Sequence, residues 1–422
     1  MINLDWRRLK AVVLESDDWG LCAWVPDEQA HRVVADTPAW RSAPGRAYGR
    51  STLESAADVD QLSALLLEFR GGDGLPPVWQ ANTVLAAPDY AQLQPPLFEH
   101  EAIPLVDLPA TPSRWPRPGL WEAVTRSRDA GVWWPELHGL HHVPEQAWLT
   151  ALRRGVADAR RAHEHQSFVC EAVEASGEYD PSEPRALRLG NLARAVEKFR
   201  ALFGRDPGSF CPPDYRWDEA VEQEAERLGV MNVQGKAEQV GRPLARLRRL
   251  FSRLQWPDVQ GRRFFLPPRI AFEPRGSRDP NGRVGTNAAH ARARGAWGRG
   301  QPAVISSHRL NYAHLDAAWV ETGRDQLRDL LGRLVADGAV FFTDLEVRQL
   351  LDRAWSLRAV GTQGALLRYH GVPREAIRFA APAGTLHVAL KDGIGEGTFA
   401  VEGGEVRAQL DPGDYLLEWR LA

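Results

Sequence analysis

The chain has 422 residues, with 52 Lys or Arg against 55 Asp or Glu and a formal net charge of −3. That length exceeds one ordinary domain and accommodates a barrel with an accessory module, while the near-balanced charge offers no electrostatic footprint for nucleic acid or an anionic membrane. Cys22, Cys170 and Cys211 are odd in number and far apart, which leaves no disulfide framework or zinc-finger spacing and fits a reducing compartment. The residues before Ala11 are interrupted by Asp5, Arg7, Arg8 and Lys10, and no apolar run is long enough to span a bilayer, so a cytoplasmic location is expected.

The first apolar run, 11–14, reads as a strand and leads into Glu15-Ser16-Asp17-Asp18-Trp19-Gly20. Two adjacent carboxylates at a strand end repel each other. A bound cation would compensate them; the other reading is a solvated turn. An amphipathic helix at 57–70 precedes a second strand at 78–85, and a third strand follows at 131–137. It runs into Glu136-Leu137-His138-Gly139-Leu140-His141-His142. If a helical turn starts here, His138 and His142 share one face. Two imidazoles and a carboxylate make a zinc-type ligand set with open positions. His141 falls off that face and reads as a hydrogen-bonding or exposed side chain. A polar loop without metal is the alternative.

Helix is expected over 145–175, then a break at 176–185, then helix again over 187–203. A short strand at 209–211 enters Phe210-Cys211-Pro212-Pro213-Asp214-Tyr215-Arg216-Trp217, where two prolines stiffen the backbone and aromatic faces suit sugar rings. A helix at 218–228 closes at Gly229. Strands at 230–233 and 264–266 flank an Arg-rich run, 246–253, that reads as one exposed helix face. The strand at 303–306 precedes Ser306-Ser307-His308-Arg309-Leu310-Asn311-Tyr312. His308 at a strand end is a candidate general acid or base, and no Gly-x-Ser-x-Gly elbow surrounds either serine. A helix at 324–337 and a strand at 340–343 complete the series.

Strand alternating with helix argues for a parallel α/β architecture. A (β/α) barrel of seven or eight strands gathers such segments at the C-terminal ends of its strands. After Arg358 the helical periodicity fades. Short strand-like runs separated by Pro-Ala-Gly, Lys-Asp-Gly, Gly-Gly and Asp-Pro-Gly turns read as a small all-β appendix. The expected division is 1–356 and 357–422, with the appendix structural or carbohydrate-binding.

Taken in order, Asp17-Asp18, His138-x-x-x-His142, Phe210-x-Pro212-Pro213 and His308 resemble the motifs of the polysaccharide deacetylase family (carbohydrate esterase family 4, the NodB-homology fold). Glu-Ser-Asp-Asp-Trp-Gly and Ser-His-Arg-x-Asn resemble its bacterial branch in particular. The resemblance spans about residues 8–350. It implies a distorted (β/α) barrel, often seven-stranded, and a divalent metal, usually Zn2+, with Co2+, Ni2+ or Mn2+ as substitutes. It implies Asp17 as catalytic base, Asp18, His138 and His142 as metal ligands, and His308 as general acid. Pro213, Asp214 and Tyr215, with Trp19 and Arg309, are the expected substrate contacts. The implied activity is removal of an acetyl group from an amino sugar, oligosaccharide or glycan precursor, with an acetylated saccharide or sugar conjugate as partner.

The chain departs from the family pattern in two places. Cys211 stands where the family commonly has an Arg that anchors the base, leaving Arg309 and Arg216 as stand-ins. The Asp-x-x-Asp-Trp element that orients the acid His has only a poor match in Trp256-Pro257-Asp258. Two other readings stay open. One is a catalytically silent glycan-binding barrel, for which 16 Trp offer stacking faces. The other is a hydrolase of a non-sugar C–N bond.

Overall fold

The computed structural model describes residues 4–421 apart from 97, 174–175, 241–246, 248–249, 252–253, 255, 362, 384 and 393–397. The Arg-rich run at 246–253, the end of the helix expected over 145–175 and Gly397 therefore lie wholly or partly outside the described residues. Among those residues, no helix is long and apolar enough to cross a membrane.

Among the described residues, twelve strands precede residue 344. They are β1 (Ala11–Trp19), β2 (Trp79–Thr83), β3 (Ala86–Pro88), β4 (Leu105–Asp107), β5 (Trp133–Leu137) and β6 (Ser209–Phe210), then β7 (Asn232–Val233), β8 (Asp258–Gln260), β9 (Arg263–Phe265), β10 (Ile270–Ala271), β11 (Ala303–His308) and β12 (Val340–Phe342). Ten of them form one sheet in the order β10-β11-β1-β2-β5-β6-β7-β9-β8, with β12 also on β1; β3 and β4 pair separately. Every ladder of the large sheet is parallel except β8–β9.

β1 is the axis of this sheet. β11 pairs along one edge, from Val12 opposite Ala303 to Asp17 opposite His308. The other edge is divided: β12 covers Ala11–Val13 and β2 takes over at Leu14. Ala11 to Asp17 are all buried, as expected for a parallel strand covered on both faces. The sheet curls, because Arg269 beside β10 reaches Cys211 just past β6 (Nη1–Sγ 3.5 Å) although five ladders separate those strands. The result is a curled half-barrel of ten strands. Among the described residues no ladder joins β10 to β8. The expected count of seven or eight rose because β8 and β10 are only three and two residues long, below the length at which alternation can be recognised.

Helices cover the outer face. Val12, Leu14 and Trp79 of the sheet pack with Leu62 and Leu66, Ala123 and Val124, and Leu327 and Leu331. The helix expected over 145–175 is two helices, Glu145–Arg153 and Ala157–Glu164, because Gly155 takes a left-handed conformation (φ +70) between them. Helices Leu120–Asp129, Thr286–Gly298 and Asp344–Arg353 add to those expected.

From Trp355 onward the described residues form a separate antiparallel sheet of seven strands with its own core around Trp355, Leu367, Phe379, Val406, Leu417 and Trp419. Its first strand starts at Trp355, two residues before the expected division at 357, and follows directly on the helix ending at Arg353. Buried Arg368 ties it to the half-barrel. Its guanidinium donates to the Phe341 carbonyl (3.0 Å) and pairs with Asp73 (2.8 Å), Glu346 (3.3 Å) and Asp414 (2.9 Å). Arg358 joins the same network through Glu346 (3.2 Å).

Candidate active site

The site begins with a break in the rhythm of β1. Regular alternation would send Asp17 and Asp18 to opposite faces of the sheet. Asp18 instead has φ +74, and the β1–β2 register shifts between Ser16 and Trp19. A short polar side chain tolerates this left-handed conformation. Both carboxylates therefore line one cleft, about 400 Å³ in volume, together with His138, His142 and His308.

His138 to His142 form no helical turn. The loop bends through Gly139 (φ +91) and His142 (φ +69), which brings the two rings to 5.2 Å between centroids. The Glu178 carboxylate clamps this loop by accepting the N–H groups of Leu140 (2.7 Å), His141 (2.7 Å) and His142 (2.9 Å). A Cβ on residue 139 would collide with that carboxylate. His141 is fully buried, bonded to Glu145 (3.0 Å) and beside Asn191, so it is a support of the loop and not an exposed residue.

Asp18, His138 and His142 offer three donor atoms within 4.8 Å of one another. His138 Nδ1 donates to the Cys211 carbonyl (2.8 Å), which turns Nε2 toward Asp18 Oδ1 at 3.3 Å. His142 Nε2 lies 3.7 Å from the same oxygen. Tetrahedral donors with bonds of about 2.0–2.1 Å stand roughly 3.3–3.4 Å apart, which the His138–Asp18 spacing matches and the His142–Asp18 spacing of 3.7 Å exceeds slightly. With Nδ1 donating to the Cys211 carbonyl, buried His138 has Asp18 at its Nε2, which leaves that nitrogen suited to a ligand role. Asp17, His138 and Cys211 are also clustered. However, burial pushes the Cys211 thiol well up, and a protonated thiol is a poor ligand.

Arg269 engages Asp17. It donates bidentately, Nη1 to Oδ2 (2.7 Å) and Nη2 to Oδ1 (2.8 Å), while its Nε pairs with Glu15 (2.5 Å) and Nη1 also reaches the Tyr215 hydroxyl (2.6 Å). Asn82 adds a further donor to Asp17 Oδ1 (2.6 Å). Burial raises the Asp17 pKa, but Arg269 outweighs it and holds the carboxyl well below the usual range. Asp17 is therefore ionised. Neither stand-in named from the sequence takes this place. Arg309 is buried against Glu54 (3.1 Å) and the Leu21 carbonyl (2.7 Å), and Arg216 pairs with Asp180.

His308 faces Asp17 across the cleft, with Nε2 3.8 Å from Oδ2. Its Nδ1 is held by Glu273 (2.5 Å), whose second oxygen accepts from Asn311 (2.8 Å). Burial alone would lower the imidazole pKa; Glu273, with Asp17 and Asp18, raises it to about 9. The orienting carboxylate is thus Glu273. Asp258 of the Trp256-Pro257-Asp258 segment lies opposite Phe265 in the outermost ladder of the sheet.

Of the expected substrate contacts, Asp214 and Tyr215 line the cleft. Pro213 packs beside Gly139. Trp19 is in the core, its ring edge-on to Trp133 at 4.6 Å, and Arg309 is in the buried pair with Glu54, so neither reaches the cleft. Trp24 and Tyr48 supply the aromatic wall instead, stacked at 5.8 Å, with Tyr48 edge-on to His308 at 6.0 Å. Arg269, Glu273, Glu178, Trp24 and Tyr48 all escaped the sequence reading. The one available signal was Pro267-Pro268-Arg269, a rigid entry to a strand.

No protein-family model matches the chain, and no curated protein matches its sequence. Solved structures do. A carbohydrate deacetylase, Agd3, is similar at 12% identity over 97% of this chain and 65% of its own, with a TM-score of 0.42. A 4-alpha-glucanotransferase from Thermococcus litoralis is similar at 11% identity over 81% of this chain and 40% of its own, with a TM-score of 0.42. A de-N-acetylase from Aggregatibacter actinomycetemcomitans is similar at 12% identity over 53% of this chain and 87% of its own, with a TM-score of 0.21. The chain thus spans less than two thirds of the glucanotransferase and of Agd3, and none of the three TM-scores reaches 0.5.

Proposed function

We propose that the protein is a metal-dependent hydrolase that removes an acetyl group from an amino sugar, oligosaccharide or glycan precursor. The observation that carries this reading is the pairing of an ionised Asp17, held off the ligand trio by Arg269, with a protonated His308 across the cleft. Asp18, His138 and His142 would hold the metal, for which Zn2+ suits the donor set. A bound divalent ion supplies Lewis acidity toward a water and an acyl oxygen.

The chain's own residues supply the proton chemistry. Asp17 accepts the proton of the attacking water. Its bidentate hold on Arg269 fixes the carboxylate and leaves it anionic at neutral pH. His308 gives its Nε2 proton to the departing amine or alcohol, and Glu273 keeps it charged until then. Trp24 and Tyr48 offer a hydrophobic wall for a sugar ring, and Asp214 and Tyr215 offer polar contacts to its hydroxyls.

The test is metal analysis beside acetate release from a panel of acetylated saccharides. Asp17→Asn should abolish acetate release and retain metal, whereas His138→Ala should lose both. Activity that survives both substitutions would sink the proposal, and full metal occupancy without turnover on any acetylated sugar would point to a silent glycan-binding barrel.

A further inference from the structure

A second cavity of about 700 Å³ adjoins the cleft, and Tyr215, Arg275 and His308 line both. Its charged lining is mostly basic. Arg275, Arg292 and Arg299 face it, and so does Arg269, which is committed to Asp17 and Glu15. The single carboxylate of the lining, Glu273, has one oxygen on His308 and the other on Asn311. Among the described residues, Arg275 and Arg292 form no ion pair. The backbone N–H of Arg275 is held by Asn311, and its guanidinium lies over the Tyr48 ring at 5.6 Å.

The sequence concentrates charge here as well. Residues 275–299 contain Arg275, Arg278, Arg283, Arg292, Arg294 and Arg299 against the single acid Asp279, in a chain whose net charge is −3. A solvated helix face would account for Arg292 and Arg299, at the helix Thr286–Gly298 and its end. It does not account for Arg275, which comes from a separate loop, has φ +45, and faces the same space. Arg275, Arg292 and Arg299 are exposed side chains on the lining of one cavity, and guanidinium groups are the donors best suited to a phosphate or carboxylate there.

We propose that the acetylated substrate carries an oxyanion on its leaving-group side, and that Arg275, Arg292 and Arg299 seat it. This rests on the hydrolase reading above, in which the departing group passes His308, and it narrows the substrate class to anionic acetylated sugars. A sugar phosphate and a uronate share the required chemistry.

Calorimetric titration of the full chain with N-acetylglucosamine, its 1-phosphate and its uronate decides the matter. The charged sugars should bind at least about tenfold tighter than the neutral one, a difference of about 1.4 kcal/mol. The ratio should fall toward unity in an Arg275→Gln/Arg292→Gln double variant, and also at high salt. Whichever charged sugar binds tighter identifies the source of the anion. Equal affinity for all three, or a ratio unchanged in the double variant, overturns the proposal. Acetate release separates the two readings. Anion preference without acetate release from any sugar removes the hydrolase and leaves the anion site. Acetate release from the neutral sugar with no anion preference does the reverse.

Discussion

Arg269 pairs with two acidic side chains of β1, Asp17 (252 positions away in sequence) and Glu15, through a guanidinium that is almost wholly covered although it borders a cavity. Removing one partner of such a buried group leaves the others uncompensated. Arg269→Met should therefore cost about 3–5 kcal/mol in urea unfolding. Arg269→Lys keeps the charge but not the fork, so the loss of acetate release should exceed the loss of stability. Glu273 acts through His308, whose pKa it holds at about 9 against the lowering effect of burial. The sign follows directly: a general acid works while protonated, so activity should persist as pH rises and fall away through about 9. In Glu273→Gln the raising charge is gone, and the alkaline limb of the pH–rate profile should move to lower pH; an unmoved limb would remove Glu273 from this role. Asp17, Asp18, His138, His142 and His308 were legible because each lies in a short local motif at a strand end, and the structure gathers all five. Arg269, Glu273 and Glu178 were not legible, because what they do depends on partners brought together only by the tertiary fold. Trp19 and Arg309 were misplaced for the converse reason: a motif neighbour reads as part of the site even when its side chain turns into the core.

At the scale of elements, the loop after β5 depends on Glu178, which accepts three consecutive backbone N–H groups. Glu178→Ala frees the loop that carries both imidazoles. Zinc affinity, measured by chelator competition, should drop by roughly 10–100-fold, as for other supports of metal ligands. Unchanged affinity would show that the histidines hold their places without it. The longer strands and helices were visible in the hydrophobic pattern. β6, β7 and β10, at two residues each, were beyond it or visible only as parts of longer apolar runs. The helical turn that would have aligned His138 with His142 does not form, because Gly139 and His142 adopt left-handed conformations that the spacing of two histidines does not reveal.

At the scale of the whole molecule, we propose two units, expected from the sequence as 1–356 and 357–422 and meeting in the structure at Trp355, coupled through Arg368, Arg358 and Glu346. Arg368 is essentially inaccessible and faces three carboxylates. Arg368→Met should lower stability by about 3–5 kcal/mol, and calorimetry should show one unfolding transition for the unsubstituted chain and two for the variant; one unsplit transition in the variant would argue against this coupling. β1 has a further consequence, for how the chain is made. Its partner across the site pairs Val12 with Ala303, and its lower edge waits for Val340. At about 5–20 residues per second of synthesis, β1 spends roughly 15–60 s on the ribosome before Ala303 exists. Closing a ladder over so long an intervening chain is also intrinsically slow. The strand carrying Asp17 and Asp18 is translated early, yet the Asp17–His308 pair cannot assemble until His308 has been made, and the edge of β1 that takes β11 stays unpaired by it until then.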